Sequence, residues 1–281
     1  MQMARANEKP SPSIGNAKPC DRRLLCVRAD FRSPPMSNAF IPIPSLRDVE
    51  SQRLDALMTG LANDMSAVDG IDEFAATGWL PDRFFALLAS VYAAYDEYLA
   101  HNIGASDLRI QCKVGCSRCC RQAVHGTYSF EIINLYRQLR ELPDYARIHD
   151  AFLKHANEFQ GFFGKFAQNP ANAAATEQDA LVFSMRSYAA ANLWCPLLVD
   201  NACSVYANRP VPCRMYHSLT DPILCVTPIG HTFNIEPPAN ANRVLATVSD
   251  RLAFPYSNFL AQGLVAFAAM RQFRPWAPPA P

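Results

Sequence analysis

No run of apolar residues in this chain approaches the roughly 18 needed for a helix to span a bilayer, which argues against a membrane protein. An excess of charge of one sign is also missing. Lys and Arg number 26 against 25 Asp and Glu, a net charge of +1, so the chain does not read as a generally basic nucleic-acid binder. The N-terminus lacks the apolar core of a secretory signal, and the expected location is cytoplasmic. A Gly-rich phosphate loop, a nucleophile elbow and a His-Glu-x-x-His motif are all absent, so no nucleotide or hydrolytic chemistry is signposted. What remains is a chain of 281 residues, 50% hydrophobic, with enough apolar content for one sizeable core or two small ones.

Cysteine is what the chain does have. Four of its ten cysteines fall within the nine residues Cys112-Lys-Val-Gly-Cys116-Ser-Arg-Cys119-Cys120. Packing residues would recur at a period of two or of three to four, and these do not. Cys116-x-x-Cys119 is a knuckle spacing that turns two thiolates onto one metal, with Gly115 supplying backbone freedom for the turn. In a reducing cytosol, crowded thiols are metal ligands or redox groups more often than disulfides. Cys119 and Cys120 are adjacent, so they serve one site only across a turn, or else serve two neighbouring centres.

A second group follows, with Cys195, Cys203 and Cys213 in a C-x7-C-x9-C arrangement, and Cys225 twelve residues on. Asp200-Asn201 between two short apolar runs is a turn signal, which places Cys195 and Cys203 on the arms of a hairpin. Pro210 and Pro212 make the next stretch irregular, and Cys213 opens a short helix. One zinc or one four-iron cluster takes four thiolates, so these cysteines exceed the needs of a single site.

Together, Cys-x3-Cys-x2-Cys-Cys, Cys-Pro-Leu-Leu, Cys-Ser-Val-Tyr and Asn-Arg-Pro-Val-Pro-Cys-Arg-Met-Tyr resemble the zinc- or iron-chelating cysteine-cluster proteins of the YkgJ-like family. The resemblance covers about residues 108–226 and includes a helix with Glu131 near its start. It implies Cys112, Cys116, Cys119, Cys120, Cys195, Cys203, Cys213 and Cys225 as metal ligands, and an iron–sulfur cluster or zinc as cofactor. Flagellin lysine N-methylases carry a similar cluster, so an iron–sulfur-dependent redox or group-transfer enzyme is the alternative to a metal-binding module. Cys112-x3-Cys116-x2-Cys119 also has the spacing of radical S-adenosylmethionine enzymes. Here, however, Arg118 stands where those enzymes carry an aromatic residue, and no strand–helix series would build their barrel.

The remaining chain reads as helices around this site. Residues 1–44 carry seven prolines and little periodicity, and are expected to form a disordered leader containing Cys20 and Cys26, with Met36 an alternative start. Ser45-x-x-Asp48 resembles a capping box for a helix to about residue 67, and a second helix runs from Pro81 to Gly104 with an aromatic stripe expected in the core. Further helices are expected after Thr127 or Ser129, over 144–168, from the Thr176-x-x-Asp179 box, and from Ser257 to Met270, before a frayed Pro-rich tail at 274–281. The expected fold is mainly α, a single domain over 45–273 holding an irregular cysteine-rich metal site and a short β-hairpin. His125 and His217 are either ligands or hydrogen-bond donors beside the metal. Lys113, Arg118, Arg121, Arg209 and Arg214 compensate thiolate charge, receive an acidic protein partner, or are solvated surface.

Overall fold

A computed structural model describes residues 41–43, 45–105, 109–112, 115–218, 221, 225 and 232–278; the side chains of 41–43 and 232–234 are not described. The architecture is mainly helical, as the apolar periodicity predicts. The helices are α1 (Val49–Ser66), α2 (Phe74–Thr77), α3 (Asp82–Gly104), α4 (Ser129–Leu139), α5 (Tyr145–Gln168), α6 (Glu177–Ala190), α7 (Val211–Met215), α8 (Ala239–Arg251) and α9 (Leu260–Met270). Helix α1 packs on α3 and α8, while α4 and α5 pack on α9, and α5 carries α6 on its other side.

The aromatic stripe of α3 is core, with Phe84, Leu88, Val91, Tyr92, Tyr95 and Leu99 all buried. Helix α5 is buried only in its first half. Phe152 and Phe159 are 3% exposed, but Phe162, Phe163 and Phe166 are only partly covered, with Phe166 against Phe183 of α6 at 5.2 Å.

Several helix ends differ from expectation. Asp48 itself is the N-cap of α1 and accepts the Ser51 N–H at 2.8 Å, so the box does not begin at Ser45. Tyr128, not Thr127 or Ser129, caps α4, and Glu131 reaches back to accept its N–H at 3.0 Å. The Thr176–Asp179 box of α6 is present in both directions. Helix α8 was not anticipated, although Ala241, Leu245, Val248 and Leu252 carry a helical apolar face. It has no cap of its own. Asp55 of α1 supplies one from a distance, accepting the Ala241 N–H at 2.8 Å and the Asn240 N–H at 3.3 Å.

The structure also contains strands that the sequence did not announce. Beside the expected hairpin of β2 (Leu198–Val199) and β3 (Ala202–Cys203), a mixed sheet orders β1 (Ile41–Ile43), β5 (Thr232–Ile235) and β4 (His217–Ser218), with β1 parallel and β4 antiparallel to β5. Residues 41–43, expected in the leader, are thus an edge strand, a position where Pro42 costs no ladder bond on its open side. Residues 1–40, with Cys20 and Cys26, lie outside the described residues. The tail is also ordered further than expected. Trp276 packs edge-on against Phe85 at 5.5 Å, and the Tyr136 hydroxyl donates to the Arg274 carbonyl at 2.7 Å.

One glycine fixes the approach of α9 to α4. A Cβ at Gly263 would lie 2.3 Å from Ile132 Cδ1 and 3.0 Å from the Tyr256 carbonyl. Gly263→Ala should therefore push the helices apart and cost about 1–3 kcal/mol, an overpacking effect that a thermal melt will register.

Candidate metal centre

The first cysteine group lies in the irregular stretch between α3 and α4. Gly115 adopts φ +82°, the left-handed conformation the knuckle requires, and Arg118–Arg121 close one 3₁₀ turn that holds Cys119 and Cys120. The second group is delivered by the hairpin. Asp200 and Asn201 both take positive φ, 50° and 63°, as a two-residue turn of this hand demands, and Leu198 pairs with Cys203. Helix α7 carries Cys213, and Cys225 follows strand β4.

These segments meet. The Cys195 N–H donates to the Cys120 carbonyl at 2.7 Å, and Ser117 Oγ lies 3.4 Å from Asn201 Oδ1, so the hairpin lies against the 3₁₀ turn. The Ser218 N–H points at Cys112 Sγ from 3.2 Å, and Gln122 Nε2 donates to the Cys225 carbonyl. Among the described residues all eight cysteines are free thiols, and only Cys225 is fully buried.

Cys119 lies close enough to five of the other thiols to influence their titration. A hydrogen bond to the Cys120 thiol and then burial hold the Cys119 thiol well above its ordinary range. The charge of Cys119 in turn raises Cys112, Cys195, Cys203, Cys213 and Cys225, each of which is shifted first of all by burial. Burial pushes Cys195 up to about 12 and Cys225 to about 11. Crowded thiols without a cation thus keep their protons. A bound cation reverses that balance, because thiolate is the ligating form and its release of protons is linked to metal binding. The donor set, eight soft sulfurs in one region, suits zinc or iron–sulfur chemistry. The sulfurs are gathered but not closed: among the described residues no three His, Cys, Asp or Glu side chains stand in an arrangement that would hold a metal ion. Binding must rotate the side chains inward.

The flanking arginines divide. Arg209 faces the thiols and works against the upward shift of Cys119 and Cys203, while its guanidinium stacks over Tyr206 at 4.2 Å. Arg121 lies over Trp194 at 5.5 Å, and Arg118 is exposed. Arg214 is 1% exposed, so of the readings open to it neither a docking surface nor solvated surface holds. Its Nε donates to the Arg209 carbonyl at 2.9 Å, its other nitrogens reach Asp96 and the Ala207 carbonyl, and its plane covers Tyr92 at 4.3 Å. Lys113 lies outside the described residues.

His125 pairs by its backbone with Phe259 and lies tilted against that ring at 4.6 Å, where burial lowers its pKa to about 4. His217 Nδ1 lies 2.9 Å from the Met215 carbonyl, and burial lowers its pKa as well.

Glu131, noted in sequence only through the family resemblance, is a clip between α4 and α7. Fully buried, it accepts the Tyr128 N–H through Oε2 and the Val211 N–H through Oε1 at 2.7 Å, two residues before Cys213. Burial outweighs those bonds and raises its pKa to about 7. The folded state therefore holds this proton more tightly than the unfolded chain, and the contribution of Glu131 to stability falls as pH rises from about 4.5 to about 7. The wild type should lose stability over that window relative to Glu131→Gln, which has no charge to bury. Glu131→Ala, which leaves two buried N–H groups unpartnered, should cost about 2–4 kcal/mol near pH 4.5, and less as the pH rises and the wild type itself weakens. Urea midpoints against pH will show both, and parallel profiles for wild type and Glu131→Gln would contradict the assignment.

Residues 111–235 match the family model CxxCxxCC, described as "Putative zinc- or iron-chelating domain". The match supports metal binding. It covers less than half of the 281 residues and takes in all eight cysteines of the site. No curated protein and no solved structure matches the chain.

Proposed function

We propose that this chain is a metal-binding module whose ligands are Cys112, Cys116, Cys119, Cys120, Cys195, Cys203, Cys213 and Cys225, holding an iron–sulfur cluster in preference to zinc. The observation that carries the reading is that segments distant in sequence meet beside the first cysteine group: the Cys195 N–H donates to the Cys120 carbonyl at 2.7 Å, the Ser218 N–H points at Cys112 Sγ from 3.2 Å, and Gln122 Nε2 donates to the Cys225 carbonyl. Between the segments lie α4, α5 and α6, so only a centre bonded to both groups makes use of that convergence. An iron–sulfur cluster would supply one-electron chemistry, whereas zinc would supply cross-linking alone. The excess of thiols over four and the arginines beside them favour the cluster. Free thiols of this number suit a reducing compartment such as the cytoplasm.

A substrate-turning enzyme needs room beside its metal. The cavity on the Cys195 side, lined also by Gln122, His155, Phe159, Tyr188 and Leu260, has a volume of about 20 Å³. That is space for roughly one water, so this cavity, lined by described residues, offers no substrate pocket, which supports the module reading.

Protein purified without oxygen should be brown and contain iron and acid-labile sulfide. Colourless protein with stoichiometric zinc and no sulfide would reverse the preference for the cluster. Protein that binds neither metal, as isolated or after reconstitution, would end the metal-binding reading.

A further inference from the structure

The cavity beside Cys195 admits little more than a water, while seven of the eight thiols are only partly buried, so the accessible side of the site is its outer surface. That surface is cationic. Elsewhere in the molecule several guanidinium groups are neutralised by carboxylates, Arg53 by Glu50, Arg137 by Asp82, Arg147 by Asp144 and Arg251 by Asp72. Beside the thiols, Arg118, Arg121 and Arg209 stand in no ion pair among the described residues. The Nε–H groups of Arg121 and Arg209 are buried without a hydrogen-bond partner. Residues 116–121 and 194–209, which carry these arginines, hold one carboxylate, that of Asp200 at the hairpin tip.

Two of the arginines are also built into aromatic pairs. Arg121 lies over the Trp194 ring at 5.5 Å and so joins the first cysteine group to the segment before the hairpin, while Arg209 covers Tyr206 at 4.2 Å just beyond it. Both rings stay open to solvent, Trp194 by 37% and Tyr206 by 59%. The two segments touch, through the Cys195 N–H on the Cys120 carbonyl and Ser117 Oγ beside Asn201 Oδ1, so both pairs border the cysteine region. Compensation of thiolate charge would explain the arginines but not the exposed rings. Trp, Tyr and Arg together are the residues that dominate binding energy between proteins, the rings supplying rigid contact area and the guanidinium a fork for carboxylates.

We propose that the surface carrying Arg118, Arg121, Arg209, Trp194 and Tyr206 is a docking face for an acidic protein, whose carboxylates pair with the guanidinium groups while its apolar side chains cover the two rings. Three arginines in a chain of net charge +1 lack the extended basic stripe that a nucleic acid selects, which favours the protein partner. The proposal goes beyond metal binding, stands on residues that ligate nothing, and adds the kind of partner that meets the site.

The test uses the full chain purified without oxygen, with iron and zinc counted in the same sample. A dye-labelled peptide of glutamates interspersed with leucines, and a labelled oligothymidine of equal charge, are each titrated with it, and fluorescence anisotropy reads binding. The peptide should bind, about tenfold more weakly at physiological than at low salt. Arg118→Ala/Arg121→Ala should weaken it about tenfold, Trp194→Ala/Tyr206→Ala by a similar factor, and Arg243→Ala on α8 not at all, with circular dichroism showing that each variant keeps its helices. Oligothymidine bound as tightly as the peptide overturns the proposal, and so does peptide binding that the aromatic variant leaves unchanged, because charge compensation alone would then account for the arginines. A metal-loaded chain that ignores the peptide overturns the docking face and leaves metal binding standing. A chain that takes neither iron nor zinc, as isolated or after reconstitution, overturns the metal-binding reading whatever the peptide does.

Discussion

Cys119→Ser is expected to cause the largest loss of bound metal of any single substitution in this chain. Its thiol is the one whose charge acts on Cys112, Cys195, Cys203, Cys213 and Cys225 alike, and it is hydrogen-bonded to Cys120. Serine is nearly isosteric, so packing is preserved while a soft ligand becomes a poor one. Structural metal sites contribute roughly 10–16 kcal/mol of apparent binding energy that appears as folding energy. Losing one of four donors on the order of 4 kcal/mol corresponds to about a thousandfold in affinity. Competition against a chromophoric chelator measures the affinity, and the melting temperature with and without metal measures the linked stability. Cys20→Ser and Cys26→Ser, remote in sequence from both groups, should change neither. Unaltered metal content in Cys119→Ser would remove this residue from the ligand set.

Arg214→Met is expected to cost as much stability as any substitution of a residue that is not a ligand. The guanidinium is held under Tyr92 and donates to the carbonyls of Arg209 and Ala207 and to Asp96 of α3. Methionine fills part of the volume but leaves two carbonyls without donors. The Asp96 side chain is 48% exposed, so water can take over its half of the ion pair and the cost comes chiefly from the carbonyls and the lost stacking. An effect of about 2–4 kcal/mol follows. Arg214 adjoins Cys213, so metal affinity should weaken along with stability, and Arg214→Lys should rescue little because an ammonium cannot span three acceptors. A melting temperature within a degree or two of wild type would show that the buried guanidinium is not the clasp between α3 and α7.

Much of the helical frame was legible because its signals are local. Leu54, Met58 and Met65 mark the buried side of α1, although Val49 and Leu57 of the same periodic set face solvent. The stripe on α3, the Thr176–Asp179 box and the Asp200–Asn201 turn all depend on residues within a few positions of one another, and each stands where the sequence placed it. The spacing of Cys112, Cys116, Cys119 and Cys120 is local in the same sense.

What the sequence by itself determined is therefore the spacing of the cysteines, most of the helices that carry the chain between them, and the Asp200–Asn201 turn between Cys195 and Cys203. The tertiary structure decided which distant segments lie beside them. Ser218 and Cys112 are more than a hundred residues apart, as are Asp96 and Arg214, and Glu131 reaches Val211 across eighty. None of these pairs leaves a periodic or motif signal. The pairing of β1 with β5 and the capping of α8 by Asp55 are invisible for the same reason. Side-chain periodicity reports which face of an element is buried, but a hydrogen bond between distant segments is fixed only once the core has brought their backbones together.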